Sequence, residues 1–186
     1  MAEPDGPSWQ RAPPELAQEA ALTSAVIAAH QAVLREQLAG DPLLNPALGM
    51  EVRAYREVED WRALLLTPWM LARRFFPQQV PDLPLPPNWS ATNRREADYL
   101  ILGPTMRFEL LGQTQQGHLG YRSTLGHYLL QPLCLDMSSY RDAEAVFAAW
   151  SEVIRTRNAN MERTRRDCRM QREVSRRELF GRFLAK

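Results

Sequence analysis

Residues able to carry acid–base, nucleophilic or metal chemistry are sparse in this chain, and their spacing does not gather them. The two cysteines, Cys134 and Cys168, form no Cys-x-x-Cys pair, and His30, His118 and His127 share no metal-ligand spacing. A disulfide framework, a metal cage and a bound cofactor are therefore not expected. Cys134, between Leu133 and Leu135, reads as a small buried thiol and Cys168 as an exposed one. Glu57, Glu59 and Asp60 form acid pairs only along a surface turn, and nearness in sequence is not the geometry that general acid–base work needs. The Gly-x-Ser-x-Gly elbow, the phosphate-cradling loop, the dinucleotide fingerprint and the His-Glu-x-x-His motif are all absent. The chain does not read as an enzyme.

Recognition chemistry is better represented. Thr67-Pro68-Trp69-Met70-Leu71, followed by Phe75-Phe76-Pro77, sets bulky aromatic and thioether groups beside a proline that removes a backbone donor and biases Thr67 toward extended backbone. Strand pairing should stop at Pro68. A strand exit of this composition can be a hinge, a core plug or a docking surface, and packing is the ordinary fate of Trp and Leu in such a place. As a docking surface, Trp69, Met70, Phe75 and Phe76 would adapt to varied partner shapes, while Arg73 and Arg74 would pair with carboxylates.

The elements that must position these groups fit one soluble domain. The chain has 186 residues, ordinary apolar and charged fractions, and a net charge of +1, which argues against a nucleic-acid-binding surface over the whole protein. Residues 1–14 form a Pro-rich leader expected to stay flexible, with no basic-then-apolar export signal. The longest apolar run, Ala63 to Ala72, is broken by Pro68 and is too short to span a membrane, so no membrane insertion and a cytoplasmic location are expected.

Leu22, Val26, Ala29 and Val33 recur at helical spacing within Glu15 to Leu38, and Gly40-Asp41-Pro42 supplies the stop. Alternation from Met50 to Val58, a turn, and Trp61 to Thr67 predict a hairpin. Pro77 to Trp89 is too rich in proline for a central strand and is expected to cross the surface. Thr105 to Leu111, a turn at Gly112 to Gly117, and His118 to Leu125 predict a second hairpin. Ser138 or Ser139 can cap a helix with Ala143, Phe147, Trp150 and Ile154 on one face. The order favours an α+β two-layer sandwich, an antiparallel sheet covered by helices, over residues 15–157.

Residues 158–186 make an Arg-rich tail, expected to be mobile, extended or partly helical, and ending in the apolar cluster Leu179-Phe180-Gly181-Arg182-Phe183-Leu184. Such a tail could dock on another protein or fold back on its own domain. A nucleic-acid-binding module using this tail is the alternative functional reading, although no stacking-aromatic platform accompanies the arginines.

Thr67-Pro68-Trp69-Met70-Leu71 with Phe76-Pro77, the strand leading to Gln131-Pro132-Leu133, and the ending Arg176-Arg177 to Phe180-Gly181-Arg182 together resemble the HybE-type family of [NiFe]-hydrogenase assembly chaperones. The similarity covers residues 15 to 184. It implies a non-catalytic protein that holds a small or large hydrogenase subunit precursor during maturation, before twin-arginine transport where the enzyme is exported, with other maturation proteins as further partners. Leu102-Gly103-Pro104 departs from the family's usual Pro-Tyr-Gly or Pro-Ser-Gly entry. The two cysteines exclude the four-cysteine rubredoxin site that some relatives carry. The partner-binding residues implied are Pro68, Trp69, Met70, Arg73, Arg74, Phe75 and Phe76, with Arg176, Arg177, Phe180, Gly181 and Arg182.

Overall fold

A computed structural model describes residues 8–58, 61–67 and 69–172, side chains excepted at 58, 61–67 and 164–172. Helix α1, Glu19–Glu36, buries Leu22, Val26, Ala29, His30 and Val33 along one stripe. It starts later than the periodicity suggests. Pro14–Ala17 turns as a separate 3-10 segment, and Gln18 is extended at ψ 143°, so the helix proper begins with Glu19. Its end is closed by Gln37 and Leu38, whose N–H groups both donate to the Val33 carbonyl before Gly40 takes φ +84°.

Among the described residues six antiparallel strands follow: β1 Glu51–Val58, β2 Trp61–Thr67, β3 Leu71–Pro77, β4 Thr105–Leu110, β5 Gln113–Arg122 and β6 Gly126–Cys134. They form one sheet in the order β1-β2-β3-β6-β5-β4, two three-stranded meanders joined by β3 and β6. Strand pairing resumes after Pro68, and Leu71–Pro77, expected to be a strand exit, is one of the two central strands. A strand buried on both faces has no polar alternation to reveal it, and the Arg73-Arg74 pair disguised it further. The expected Gly112 to Gly117 turn is a two-residue connection, Leu111–Gly112, with φ +52° and +67° at its two residues, the sign that suits the twist of a hairpin.

Alternation sorts the side chains to two cores. On one face Ala72 and Phe76 of β3 meet Tyr128 and Leu130 of β6 under the apolar stripe of α1. The Tyr128 ring lies over Gly120, where an added Cβ would come within 2.3 Å of it. On the other face Phe75, Leu129, Leu119 and Tyr121 pack with Met106 and Phe108 of β4. Leu85 and Trp89, from the proline-dense segment after β3, and Trp9, from the leader, fill that side. The short helix α2, Ala91–Arg94, follows, capped by the Ser90 hydroxyl accepting from Asn93 N–H at 3.2 Å.

The part of the leader from Ser8 onward is thus a strap and not the flexible segment its prolines suggest. Trp9 Nε1–H donates to the Leu83 carbonyl at 2.8 Å, and Gln10 makes a two-way clamp on His127. Its N–H donates to His127 Nδ1 at 2.8 Å while its carbonyl accepts from the His127 N–H at 2.7 Å. Because Nδ1 accepts, Nε2 carries the ring proton and donates to the Trp89 carbonyl at 2.8 Å. Gly126 must lack a side chain for the strap to pass, since a Cβ there would lie 2.4 Å from the Gln10 carbonyl oxygen.

The contacts divide the chain into two units, residues 1–143 and 144–186. The second is occupied by helix α3, Ala143–Arg172, which begins beyond the expected Ser138 or Ser139 cap and continues through 157 and 158 without a break. Ser138 instead donates through both N–H and hydroxyl to the Asp136 carboxylate, in a turn ahead of the helix.

Burial holds the His127 imidazole below its ordinary value of 6.5, against the pull of its two hydrogen bonds. The unfolded chain therefore takes up a proton that the folded one refuses. The stability from neutral His127 is complete above 6.5 and is lost as pH falls toward the folded value. Urea unfolding on either side of 6.5 should show a lower midpoint in acid, and His127→Phe should flatten that dependence; a wild-type midpoint unchanged by acid would contradict the clamp.

Candidate functional site

Strand β3 carries Arg73, Arg74, Phe75 and Phe76 of the residues expected to bind a partner, with Trp69 and Met70 just ahead of it, and its geometry decides what they can do. Trp69, Met70, Phe75 and Phe76 retain 6%, 1%, 1% and 0% of their surface, so none presents a ring or thioether to solvent. They do not form one patch either. Successive side chains of a strand point to opposite faces, and Phe76 meets Tyr128 at 5.4 Å between ring centroids on one side while Phe75 meets Phe108 at 5.2 Å on the other. The exposed docking patch is corrected to a core plug shared by two cores. Arg73 is half-buried, its Nη1–H directed at Gln131 Oε1 at 3.5 Å. Pro68, Arg176, Arg177, Phe180, Gly181 and Arg182 lie outside the described residues.

Arg74 is the unusual member. It points beneath α1, and none of its surface is exposed. The Tyr128 ring lies 5.0 Å from the guanidinium carbon, and the Tyr99 hydroxyl stands beside the guanidinium. None of its three nitrogens has a hydrogen-bond partner among the described residues. Three further groups share this environment. The His30 ring centroid lies 5.8 Å from that of Trp69, and Tyr99 stands edge-on to both at 6.1 Å. The Tyr99 hydroxyl, Trp69 Nε1 and His30 Nε2 are enclosed and likewise without hydrogen-bond partners among the described residues. Tyr99 as a whole residue is half-buried; its polar tip is what the fold encloses.

Electrostatics in this cluster have one sign. Burial, then the Arg74 guanidinium, holds the His30 imidazole well below its ordinary value, with Arg122 adding to the effect. His30 Nδ1–H donates to the Val26 carbonyl at 2.7 Å, so the enclosed Nε2 is a lone pair. Burial and Tyr128 push the Tyr99 phenol up to about 12, against Arg74 and Arg122. No carboxylate is among the groups acting on either residue.

Trp69 also forms one wall of an open groove of about 510 Å³ at the C-terminal end of α1, lined by Leu34, Ala39, Leu44, Pro46 and Leu48 with Arg35 and Asp41. The 41–48 segment on its far side is pinned by Asn45, whose Nδ2–H group donates to the carbonyls of Met137 at 2.8 Å and Tyr140 at 2.6 Å. The buried ring of Trp69 is thus shared between this groove and the Arg74 cluster.

Among the described residues no three His, Cys, Asp or Glu side chains converge as metal ligands. Cys134, expected to be buried, is half-exposed, its Sγ 3.4 Å from the Asp136 carbonyl. No helix among the described residues is long and apolar enough to cross a membrane.

A family model, described as [NiFe]-hydrogenase assembly, chaperone, HybE, matches residues 21–182. The chain belongs to this HybE family. It is also similar to the hydrogenase expression/formation protein HupT of Azotobacter chroococcum mcd 1, with 28% identity over 131 residues that cover 69% of this chain and 77% of that protein. The solution structure of HybE from Escherichia coli is similar at 19% identity and a TM-score of 0.44, over 66% of this chain and 67% of that one. The sequence singled out Trp69 and Arg74 for a docking patch but marked neither the groove nor the enclosed cluster that they join in this chain. His30 did carry a signal, since it falls on the buried stripe of α1 four residues after Val26. Tyr99 carried none, being placed by the irregular segment between α2 and β4.

Because their rings are core, Trp69→Ala and Phe76→Ala should each cost about 3–5 kcal/mol of stability in urea unfolding. A loss below about 1 kcal/mol at either position would mean that the ring is not packed as described.

Proposed function

We propose that this chain is a non-catalytic chaperone that grips a [NiFe]-hydrogenase subunit precursor through the groove beside Trp69, holding it in the cytoplasm during maturation and, for an exported enzyme, before twin-arginine transport. Membership of the hydrogenase assembly chaperone family, through a match over residues 21–182, is the observation that carries the reading. The groove supports it physically. It is walled largely by Leu, Ala and Pro side chains, carries one charge of each sign in Arg35 and Asp41, and is backed by a fixed ring. An apolar floor with a few polar groups at its rim is the composition of a surface that binds an apolar segment of another protein. Leu43, on the segment that walls the groove, keeps 81% of its surface and extends the apolar area outward.

In this reading the run from Trp69 to Phe76 keeps its place in the function, but indirectly. Trp69 fixes one wall of the groove, and Phe76 and Met70 fix Trp69, so the rings serve recognition as a foundation. The ending Arg176-Arg177 to Phe180-Gly181-Arg182 supplies a second contact, whose tethering raises the local concentration of the first without any new surface on the domain.

Two variants test the reading with the fold left intact. Ala39 is exposed, so Ala39→Glu places a charge in the groove at little cost in stability. Co-purification of hydrogenase subunits from cells should fall about tenfold for Ala39→Glu, the effect of roughly 1.4 kcal/mol at an interface. Removing residues 173–186 should lower it by less. Full recovery of subunits by a correctly folded Ala39→Glu protein would refute the groove, and recovery of no hydrogenase subunit by wild type would refute the chaperone reading itself.

A further inference from the structure

Arg74 is fully enclosed, and a guanidinium cannot shed its proton to escape the cost, as a buried lysine or histidine can. Its N–H donors make no well-formed hydrogen bond among the described residues, and the Tyr128 face at 5.0 Å and the Tyr99 hydroxyl beside the guanidinium are what compensate it. The Tyr99 hydroxyl lies beside the guanidinium, and Trp69 Nε1–H, on a ring 6.1 Å from that of Tyr99, is a further enclosed donor; neither O–H nor N–H has an acceptor among the described residues, and Arg122 adds a second positive charge to the field there. A protein interior ordinarily pairs such groups. Here charge and donors converge with no anion among the described residues to receive them.

We propose that the Arg74 cluster is a binding site for a carboxylate. The planar fork of Arg74 would hold the two oxygens side by side, and the Tyr99 hydroxyl and Trp69 Nε1–H would donate to their remaining lone pairs. His30 is not a donor in this arrangement, because Nδ1–H is committed to Val26; its Nε2 lone pair would accept from an N–H or O–H next to the carboxylate. Entry lies at Tyr99. It belongs to neither helix nor strand, and its backbone is fixed at this point by its N–H donating to Gln37 Oε1 at 2.7 Å. The three residues after it, Leu100, Ile101 and Leu102, leave large apolar side chains exposed, so a shift of this segment uncovers the cluster without unpairing a strand. The site does not depend on which protein the groove holds.

The test is thermal unfolding of the full chain in sodium formate against sodium chloride at equal ionic strength, with N-acetylglycine as a second carboxylate. Wild type should show a formate-dependent rise in Tm that saturates. Tyr99→Phe should need about tenfold more formate for half of that rise, the effect of one lost hydrogen bond to a charged group. Arg74→Met should melt no lower than wild type in chloride, because an unpaired charge has been removed, and should lose the formate-specific rise. A larger effect of N-acetylglycine would point to a carboxylate carried by a longer molecule, and an effect of formate alone to a free small ion; either supports a carboxylate site. No rise beyond that in chloride, an equal rise in Arg74→Met, or a crystal structure in saturating formate with only water at Arg74 would overturn the proposal.

Discussion

The pairing of β3 with β6 is the contact on which the rest of the molecule depends. Each meander can form from neighbouring strands joined by short turns, but neither has two covered faces. Only when Arg74 lies opposite Leu130 and Phe75 opposite Leu129 does one six-stranded sheet exist. That register divides β3 between two cores, Phe75 to the side of Trp9 and Trp89, Phe76 to the side of α1. A slip of one residue would exchange the two sets and turn every side chain to the wrong face. The pairing joins segments separated by the whole proline-dense connection and both other strands of the second meander, so its loop-closure entropy must be overcome by burial on both faces at once.

The same register encloses Arg74. In a strand whose neighbours on its own face are Ala72 and Phe76, an even-numbered position is delivered beneath α1 regardless of its polarity. Tyr128 accepts the guanidinium against its ring because Gly120 leaves room for that ring to lie flat across the sheet. Burying an unpaired cation opposes folding, and the apolar stripe of α1 with the aromatic groups around it must offset that cost. Sites that violate local stability rules in this way are where function is commonly found.

The groove at the end of α1 and the strap on the opposite face divide the two remaining tasks. The strap closes the face that carries Phe75 and Leu129, using one indole and a two-way clamp between Gln10 and His127. The groove stays open because α1 ends at Glu36, closed by Gln37 and Leu38 on the Val33 carbonyl, and Asn45 holds the next segment off the helix end. In a chain of the hydrogenase assembly chaperone family, this apolar hollow beside Trp69 is the feature on which the proposed grip rests.

Local pattern was enough for the α+β class, the core stripe of α1, the first hairpin and the inward alternation of Met106 and Phe108, because each depends on side chains within a few turns or strand residues of one another. The Thr67-to-Pro77 run and the basic ending were enough to suggest the family. Tertiary structure alone decided that Leu71–Pro77 is central, that Trp9 and Gln10 are strapped down, and that Trp69, Phe75 and Phe76 are core. Each of these rests on a partner far away in the chain: Leu129 to Cys134 for β3, His127 for the strap, α1 for Trp69. Residue type states what a side chain can do in water or in a core, but the opposing strand and the covering helix determine which of the two it meets.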